Sequence, residues 1–500
     1  MQANICLGES IADNEALTQD MDEYRPNILL ITLDDMGPTA GCWGDYTVPT
    51  PNIDRLAAEG ICFTRGYTTH SSCSPARSSL YTGLYTHQNG HFGLGHRGYR
   101  LHRGVPTLPA LMKQAGYRTC AIGKVHVEPA EALPFETEWE PEGMSRRDVY
   151  AYPKNIERFI DDAGDTPWFA LCSLGDPHRP YKGREHELPE KMLDVGDAMP
   201  FPSHGELDTP EMRKEVAGYY NAVQRIDIAV GLMMDLLERK GLNEKTLVVF
   251  TSDHGPPFAR GKTTTYEFGT RVPYIVRWPS RVSPGRVRDD FVIHVDVMPT
   301  VLEVAGVPVP EIQAGRSLVP LFNGADVPWR DALFTEFTAH GPGFAPQRVV
   351  RTDRYKLIHN LYPGHAKPGV TVDGSEVRRA LSDPKWTGTQ IERIFRLIDD
   401  PVAFELYDLE NDPLEHHNLA GDSTLADVEA GLKSRLLAWR RETFDPLLDD
   451  EYFERLRAHT ESHGETHRKA TETARSKGLK SPYNRIDMAP FQEDWPPPWI

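Results

Sequence analysis

Apolar runs alternate with amphipathic segments over the first two thirds of the chain. Each run is bounded by polar residues, which is typical of strands that are buried on both faces of a sheet. The runs that we assign to strands are Asn27–Leu33, Thr119–Ile122, Trp168–Leu174, Thr246–Thr251 and Val272–Val276. Helical patterns lie between them, and the longest covers Val216–Lys240 and stops at Gly241. This alternation predicts an α/β fold, with a large, mostly parallel central sheet that carries helices on both faces.

The pattern changes after about Phe334, where short strand-like segments follow one another closely. These segments are Leu333–Phe337, Gln347–Val350, Tyr355–Ile358 and Glu405–Leu409, and a helical pattern over Asp427–Thr443 follows them. Their order predicts a smaller C-terminal α+β domain with an antiparallel sheet. We therefore divide the chain into an N-terminal extension (1–25), a main α/β domain (26–334), the smaller domain (335–450), and a helical and extended C-terminal tail (451–500).

Composition narrows the possible partners and compartments. The formal net charge of −18 argues against a nucleic-acid partner, which would require a basic face. No apolar run approaches the ~20 residues of a membrane helix, so we expect no membrane association. The polar, acidic N-terminus lacks the pattern of a secretory signal, and the six cysteines form no CxxC pair. We therefore expect a cytoplasmic protein, or a periplasmic or secreted one if a signal has been removed.

The strongest chemical signal is the pentapeptide CSPAR, from Cys73 to Arg77, which continues as SSLYTG. An isolated CxPxR is more often a buried cysteine in a turn, with an arginine that is ion-paired nearby. Here the continuation is compatible with a helix that starts at Cys73. Backbone N–H groups at a helix N-terminus stabilise negative charge, so the pattern indicates a nucleophile at this position.

Carboxylates follow two of the predicted strands directly. Asp34 and Asp35 come after the first strand, and Asp253 and His254 come after the strand that ends at Thr251. Both positions belong to the carboxyl edge of the sheet, where α/β folds place their sites. Adjacent carboxylates repel unless a cation lies between them, although Asp34 and Asp35 taken alone could equally be a helix cap and a solvated charge. Together the four side chains predict a divalent cation site, and the oxygen-rich set favours Ca²⁺ or Mg²⁺.

Basic and proton-transferring residues follow other strands. Lys124 and His126 come after Thr119–Ile122, His178 comes after Trp168–Leu174, and Lys262 lies beyond His254. Each histidine taken singly is more often structural, and each lysine more often a solvated charge. Taken together, their order after successive buried strands indicates a site at one edge of the sheet.

This ordered set of motifs resembles the sulfatase family, within the alkaline phosphatase superfamily. The resemblance implies that a formylglycine-generating enzyme oxidises Cys73 to formylglycine, and that Arg77 holds the hydrated aldehyde. It also implies a bound Ca²⁺, with Mg²⁺ or Mn²⁺ as alternatives. The metal ligands would be Asp34, Asp35, Cys73, Asp253 and His254, the last in place of the asparagine that is commonest there.

The resemblance also assigns roles to the remaining residues. A hydrated formylglycine carries two hydroxyls, one of which attacks sulfur. The metal, Lys124 and Lys262 would neutralise the sulfate oxygens, and His178 would protonate the leaving group. His126 would deprotonate the second hydroxyl, which expels sulfate and restores the aldehyde.

Within the family, the chain looks most like the heparan N-sulfatases (sulfamidases). The segments CSPARSSLYTGLYTHQNGHFGL, AIGKVHVEP and GDPHRP carry this likeness, which extends over residues 26–446. It implies removal of N-linked sulfate from glucosamine in heparan-type saccharides. The candidate substrate-binding residues are Arg97 and Arg100 in a basic stretch, which could equally be a solvated loop, and Glu336 and His340 in the smaller domain.

Three alternatives to an N-sulfatase remain open. The first is an O-sulfatase that acts on another sulfated glycan or a small sulfate ester. The second is a phosphonate or phosphate monoester hydrolase, because the superfamily shares its metal edge and the site decides the substrate. The third, a non-catalytic carbohydrate-binding relative, would have no need of CxPxR. In each case the protein could be a homo-oligomer.

Overall fold

The computed structural model describes residues 25–139, 146–181, 183–323, 327–340, 343–365, 375–477, 479, 485–491, 493 and 496–497. Its strands are β1 (Asn27–Leu33), β2 (Ile61–Phe63), β3 (Gly66–Tyr67), β4 (Arg118–Gly123), β5 (Thr137–Trp139), β6 (Trp168–Ser173), β7 (Thr246–Ser252), β8 (Tyr274–Arg277), β9 (Arg286–Arg288), β10 (Val292–Ile293), β11 (Ala332–His340), β12 (Gly343–Thr352), β13 (Tyr355–Asn360) and β14 (Phe404–Asp408). Its α-helices are α1 (Pro51–Ala58), α2 (Cys73–Thr82), α3 (Thr86–Asn89), α4 (Leu108–Gln114), α5 (Ala151–Ala163), α6 (Pro210–Arg239), α7 (Glu267–Thr270), α8 (Val297–Val304), α9 (Ser375–Leu381), α10 (Gln390–Asp399), α11 (Ala426–Glu442) and α12 (Asp450–Ser476).

The central sheet has eight strands in the order β5-β4-β6-β1-β7-β8-β2-β9. β1 runs parallel to both β6 and β7, and β4 runs parallel to β5 and β6. β8 is antiparallel to β7 and to β2, so the sheet is mostly but not wholly parallel. The predicted central sheet is thereby confirmed, and the carboxyl ends of β1, β4, β6 and β7 meet at one edge.

The near-continuous apolar character of β1 follows from its position inside the sheet. Leu29 and Ile31 pack into one core beneath α1, α5 and α6, while Ile28 and Leu30 face a second core that includes α4 and α8. Because successive side chains of a strand point to opposite faces, both parities must be apolar when helices cover both faces. Each buried side chain of this size contributes roughly 1.5–3 kcal/mol.

A second sheet, β11-β12-β13-β14, is antiparallel throughout. One face packs against α11 through Leu436 and Trp439, and the other packs against α10 through Ile394 and Phe395. This arrangement confirms the predicted α+β architecture of the C-terminal part. The domain limits themselves stay a prediction, although residue 334 falls inside β11, so the change of pattern begins at Ala332.

The residues after α12 return to the main domain. Ile486, Met488 and Phe491 are buried against Phe92 and Tyr99, which lie in the loop between α3 and α4. No helix within the described ranges is long and apolar enough to cross a membrane.

Candidate active site

Cys73 is the first residue of α2, a helix whose ten residues are all buried. Ser72 precedes it in an extended conformation, and Gly83 ends the helix with a φ of 65° that a residue without Cβ adopts freely. The unpaired N–H groups of the first turn surround position 73, where they favour negative charge. The local sequence therefore places Cys73 at the N-terminus of a buried helix.

The register of β1 and β7 brings the acidic residues together. Leu33 pairs with Ser252, so the residues that follow each strand lie side by side. Oδ1 of Asp253 accepts the backbone N–H groups of Asp35 and His254, each at 2.9 Å. The segments that follow β1 and β7 are thus hydrogen-bonded to each other at the carboxyl edge of the sheet.

The side chains of Cys73, Asp35 and His254 lie close together at this edge. Nε2 of His254 lies 3.1 Å from Oδ1 of Asp35 and 3.4 Å from Sγ of Cys73. Nδ1 of His254 faces the carbonyl oxygen of Gly255 at 2.9 Å, and because a carbonyl can only accept, Nδ1 carries the proton. Burial alone would lower the pKa of His254, but the charges of Asp253 and Asp35 raise it well above the ordinary value, so Nε2 carries a proton as well. Nε2 is directed toward the carboxylates, where a bound cation would take the place of that proton.

These side chains fit a divalent cation. One ligand atom from each of Asp35, Cys73, Asp253 and His254 lies within 4.8 Å of the others, and Asp34 and His178 form an overlapping group with Asp35 and Cys73. A site dominated by carboxylate oxygens with one imidazole suits Ca²⁺, Mg²⁺ or Mn²⁺ better than a soft metal. The donor chemistry supports the predicted ligand set without selecting the ion.

The two predicted lysines each bind one of the adjacent carboxylates. Nζ of Lys124 lies 2.7 and 2.9 Å from the oxygens of Asp34, and Nζ of Lys262 lies 2.8 and 3.0 Å from those of Asp35. Burial alone would raise the pKa of both carboxyls, but Lys124 and His178 lower that of Asp34, and Lys262 and His178 lower that of Asp35, well below the ordinary range. Both aspartates are therefore ionised, as metal ligands must be.

Arg77 is anchored beneath the site by several hydrogen bonds. Its fully buried guanidinium donates to Asp253 Oδ2 at 3.1 Å, to Ser173 Oγ at 2.6 Å and to the Lys124 carbonyl at 3.0 Å. These contacts tie the ends of β4, β6 and β7 together beneath the nucleophile. Arg77 thus positions the carboxylates, and its implied role in holding the aldehyde hydrate stays a prediction.

His178 and His126 have different partners in the site. Nε2 of His178 is 3.9 Å from Oδ2 of Asp35, and its side chain is 40% exposed. Nε2 of His126 instead lies 2.9 Å from Nδ1 of His96, a residue to which the sequence assigned no catalytic part. Burial, with the charges of Lys124 and His96, holds the pKa of His126 well below its ordinary value. A neutral His126 can accept a proton at pH 7.

Of the four predicted substrate-binding residues, His340 contacts the residue that precedes the nucleophile. Its Nδ1 is 2.7 Å from the hydroxyl oxygen of Ser72, the residue before Cys73. Arg97 is half-buried and Arg100 is exposed on the loop that carries His96. These placements leave the substrate-binding roles of Arg97, Arg100 and His340 as predictions.

The structure contradicts the substrate-binding role predicted for Glu336, because its carboxylate is wholly buried and is hydrogen-bonded within the protein. It accepts the backbone N–H and the hydroxyl of Thr86 at 2.6 and 2.7 Å and lies 2.8 Å from Nδ1 of His87. Nε of Arg348 is a further 3.5 Å away. Glu336 thus joins the second sheet to α3 and has no oxygen to offer a saccharide.

We expect Glu336→Gln to destabilise the protein by about 3 kcal/mol at pH 7. Burial alone would raise the pKa of Glu336, but His87 and Arg348 lower it from 4.5 to about 2. A depressed pKa stabilises the fold above pH 4.5, and this stabilisation is lost as the pH falls toward 2. Urea unfolding at several pH values should show the difference from wild type shrinking over that interval. The exposed Glu410→Gln should differ by less than about 0.5 kcal/mol throughout, and an equal effect of both substitutions would contradict the argument.

Fold and site together define a hydrolase that works at the carboxyl edge of an α/β sheet, with a buried nucleophile position beside a divalent cation site. The sulfatase family model matches residues 26–307, and a model of the C-terminal part of N-sulphoglucosamine sulphohydrolases matches residues 259–385. The chain belongs to the sulfatase family, whose members hydrolyse sulfate esters or sulfamates. Members of this family generally use formylglycine and a divalent metal.

Two similar proteins align with most of the chain. Human N-sulphoglucosamine sulphohydrolase is 32% identical over 84% of this chain and 91% of its own length. An ulvan-active sulfatase of Formosa agariphila is 30% identical over 85% of this chain and 82% of its own.

Solved structures share the fold at lower identity. A protein in complex with its substrate D-glucosamine-2-N,6-O-disulfate superposes with a TM-score of 0.64 at 22% identity, covering 84% of this chain and 98% of that one. A phosphonate monoester hydrolase of Agrobacterium radiobacter superposes with a TM-score of 0.64 at 22% identity, covering 84% and 96%. These similarities establish the architecture of the chain, but they do not identify its substrate.

Proposed function

We propose that this sulfatase removes the N-linked sulfate of glucosamine residues in heparan-type saccharides. The observation that carries the proposal is the position of Cys73, within 3.4 Å of His254 and 3.9 Å of Asp35 at the N-terminus of a buried helix. The match of residues 259–385 to the C-terminal part of N-sulphoglucosamine sulphohydrolases favours N-sulfate over O-sulfate. The human relative named for the same reaction supports the same choice.

Two groups complete the proposed site. Cys73 is converted to formylglycine by a formylglycine-generating enzyme, and Asp34, Asp35, Asp253 and His254 hold a divalent cation, with Ca²⁺ as our first choice. Together these groups supply a hydroxyl nucleophile that is activated at neutral pH. Both belong to a centre that is closed to bulk water, because Asp35, Asp253 and His254 are at most 1% exposed.

The cationic side chains of the site bind and orient the sulfate. Lys124 and Lys262 are 8% and 4% exposed, so their charges act in a poorly solvated region, where they are worth more than in water. Lys124 pairs with Asp34 and Lys262 with Asp35, and both lysines interact electrostatically with Cys73. Because the lysines offset Asp34 and Asp35, a bound divalent cation would leave the centre positively charged, which would let a chain with a net charge of −18 accept an anionic substrate.

The two histidines divide the proton transfers. His178 is the more exposed, and its Nδ1 donates to the carbonyl of Arg179 at 2.6 Å, so that Nε2 faces Asp35 and the nucleophile. A proton on Nε2 can pass to the departing nitrogen as the N–S bond breaks. Asp176 fixes this loop, because its carboxylate accepts from Arg225 at 2.7 and 3.1 Å. His126, which is neutral, takes the proton released at the nucleophile.

The test compares four substrates under identical conditions. Purified protein is offered N-sulfoglucosamine, glucosamine 6-O-sulfate, an aryl sulfate and a phosphonate monoester, and kcat/KM is measured for each. We expect the N-sulfated sugar to be preferred. A preference for the O-sulfate or the aryl sulfate would contradict N-sulfatase activity and identify the enzyme as an O-sulfatase. A preference for the phosphonate would place the enzyme with the phosphonate monoester hydrolases that share its fold.

The chemical state of residue 73 is measured in the same preparation. Mass spectrometry of the tryptic peptide should show a loss of about 18 Da relative to the thiol, the difference between a CH₂SH and a CHO group. An unmodified thiol in a fully active enzyme would contradict the formylglycine part of the proposal. An unmodified thiol in an inactive protein would be consistent with a non-catalytic carbohydrate-binding role.

A further inference from the structure

His96 and His126 form a coplanar pair at the rim of the site. Nδ1 of His96 lies 2.9 Å from Nε2 of His126, and the two ring planes are inclined by only 11°. The ring centroids are 5.2 Å apart, which exceeds the distance between the nitrogens by about two ring radii. The rings therefore meet edge to edge along one line, which is the geometry of a hydrogen bond rather than of face-to-face stacking.

Only one proton fits between the two facing nitrogens, so the neutral pair has two states. If His96 Nδ1 carries the proton, Nδ1 of His126 must be protonated too, and His126 cannot act as a base. If His126 Nε2 carries it, Nδ1 of His126 holds a lone pair. That atom is buried and has no hydrogen-bond partner among the described residues, so it is available to a reacting group.

We propose that His96 is a positioning residue for the hydrolysis: by accepting the Nε2 proton of His126, it keeps Nδ1 of His126 ready to remove a proton from the nucleophile. This inference rests on the proposed function. In the step itself the nucleophile loses a proton to Nδ1, and the resulting imidazolium keeps its Nε2–H bonded to His96. The bond stabilises the cation as it forms, as a carboxylate does beside the histidine of a hydrolytic triad.

The charged surroundings of the pair favour its neutral form. Partial burial, together with Arg97, Lys124 and Arg485, lowers the pKa of His96 to about 4. His126 is affected in the same direction by burial, Lys124, His96 and Arg77, and only Asp34 opposes the shift. Two neutral rings can share the single proton that the proposal requires.

The loop that carries His96 is fixed at both ends. At the inner end, the N–H of Gly95 donates to Oγ of Ser74, the residue after the nucleophile, at 3.0 Å. At the outer end, the N–H of Ile486 in the C-terminal tail donates to the carbonyl of Arg97 at 2.6 Å. Gly98 permits this approach, because its φ is +109° and a Cβ there would lie 2.0 Å from the Ile486 carbonyl oxygen. The tail thereby holds His96 against His126.

Substitution of His96 tests the pairing. We expect His96→Leu, which removes the acceptor at similar volume, to lower kcat roughly 10- to 100-fold while KM changes by less than about 3-fold. His96→Asn places Oδ1 at the position of Nδ1 and should restore most of the rate. Wild-type kcat in His96→Leu, or failure of His96→Asn to recover more than His96→Leu, would overturn the inference. A wild-type protein without sulfatase activity would instead contradict the proposed function.

The contribution of the tail is tested in the full-length chain by Gly98→Ala. The added methyl group displaces Ile486, so kcat should fall as in His96→Leu, and combining both substitutions should lower it little further. Gly421→Ala is the matched control, because Gly421 has a φ of +87° but nothing within 4 Å of the added Cβ. It should retain wild-type kcat. Full activity of Gly98→Ala, or additive losses in the double variant, would show that the tail does not act through His96.

Discussion

Cys73→Ala should abolish sulfate release and leave the fold intact. The nucleophile is made from this side chain, so its removal leaves only binding and charge stabilisation, and we expect kcat to fall by roughly 10³-fold or more. The fold should tolerate the change, because only one sulfur atom is lost and α2 keeps its helical hydrogen bonds and Ser72 at its start. Stability should fall by about 1 kcal/mol. Release of sulfate from the preferred substrate and thermal unfolding of the same preparation measure both effects.

Two further variants separate loss of chemistry from loss of structure. Cys73→Ser restores a hydroxyl but not an aldehyde hydrate, so it should be as inactive as Cys73→Ala. Cys120→Ala removes a buried thiol from β4 and should lower stability while preserving kcat. Near-normal turnover in either variant of Cys73 would mean that this residue is not the source of the nucleophile.

The sequence predicted the limits of strands that are buried on both faces, but it predicted the limits of partly exposed elements less well. β1 occupies the predicted Asn27–Leu33, because its apolar run is continuous. The helix predicted to begin at Val216 starts at Pro210, since its first turns are largely exposed and lack apolar periodicity. Thr209, whose side chain accepts from the N–H of Met212, is the cap that marks the true start. The antiparallel direction of β8 depends on chain path, which no local pattern encodes.

The site was predictable to the extent that its residues follow strands. Asp35 and Asp253 meet because β1 and β7 are parallel neighbours, so knowledge of the sheet edge was sufficient. Glu336 was misjudged because a charged residue in a strand suggests solvent or a ligand, whereas here the main domain covers it and His87 pairs with it. His96 was missed as a partner of His126 because their contact depends on the path of an irregular loop. Contacts of this kind carry no spacing signal.

Removal of the divalent cation should lower activity and thermal stability together. Without the ion, the buried carboxylates of Asp34, Asp35 and Asp253 are balanced only by protein cations, chiefly Lys124, Lys262 and Arg77. These pairs should keep the protein folded, but the binding free energy is lost, about 2.7 kcal/mol for an ion present at 100 times its Kd. Dialysis against a chelator, followed by thermal unfolding and kinetics, measures both. Separate addition of Ca²⁺, Mg²⁺ and Mn²⁺ then identifies the ion that restores them.

An asparagine substitution shows whether the effect arises at this site. Asp35→Asn removes a ligand and should make Tm insensitive to the chelator, because the ion no longer binds appreciably. The surface variant Asp235→Asn, whose carboxylate is half-exposed beside Arg55, should retain the full chelator-dependent shift in Tm. If exhaustive chelation changed neither Tm nor kcat of the wild-type protein, no cation would be bound at Asp35. Lys124, Lys262 and Arg77 would then be the charges that let three buried carboxylates stay ionised, and activation of the nucleophile would have to rest on His126 and the N-terminus of α2.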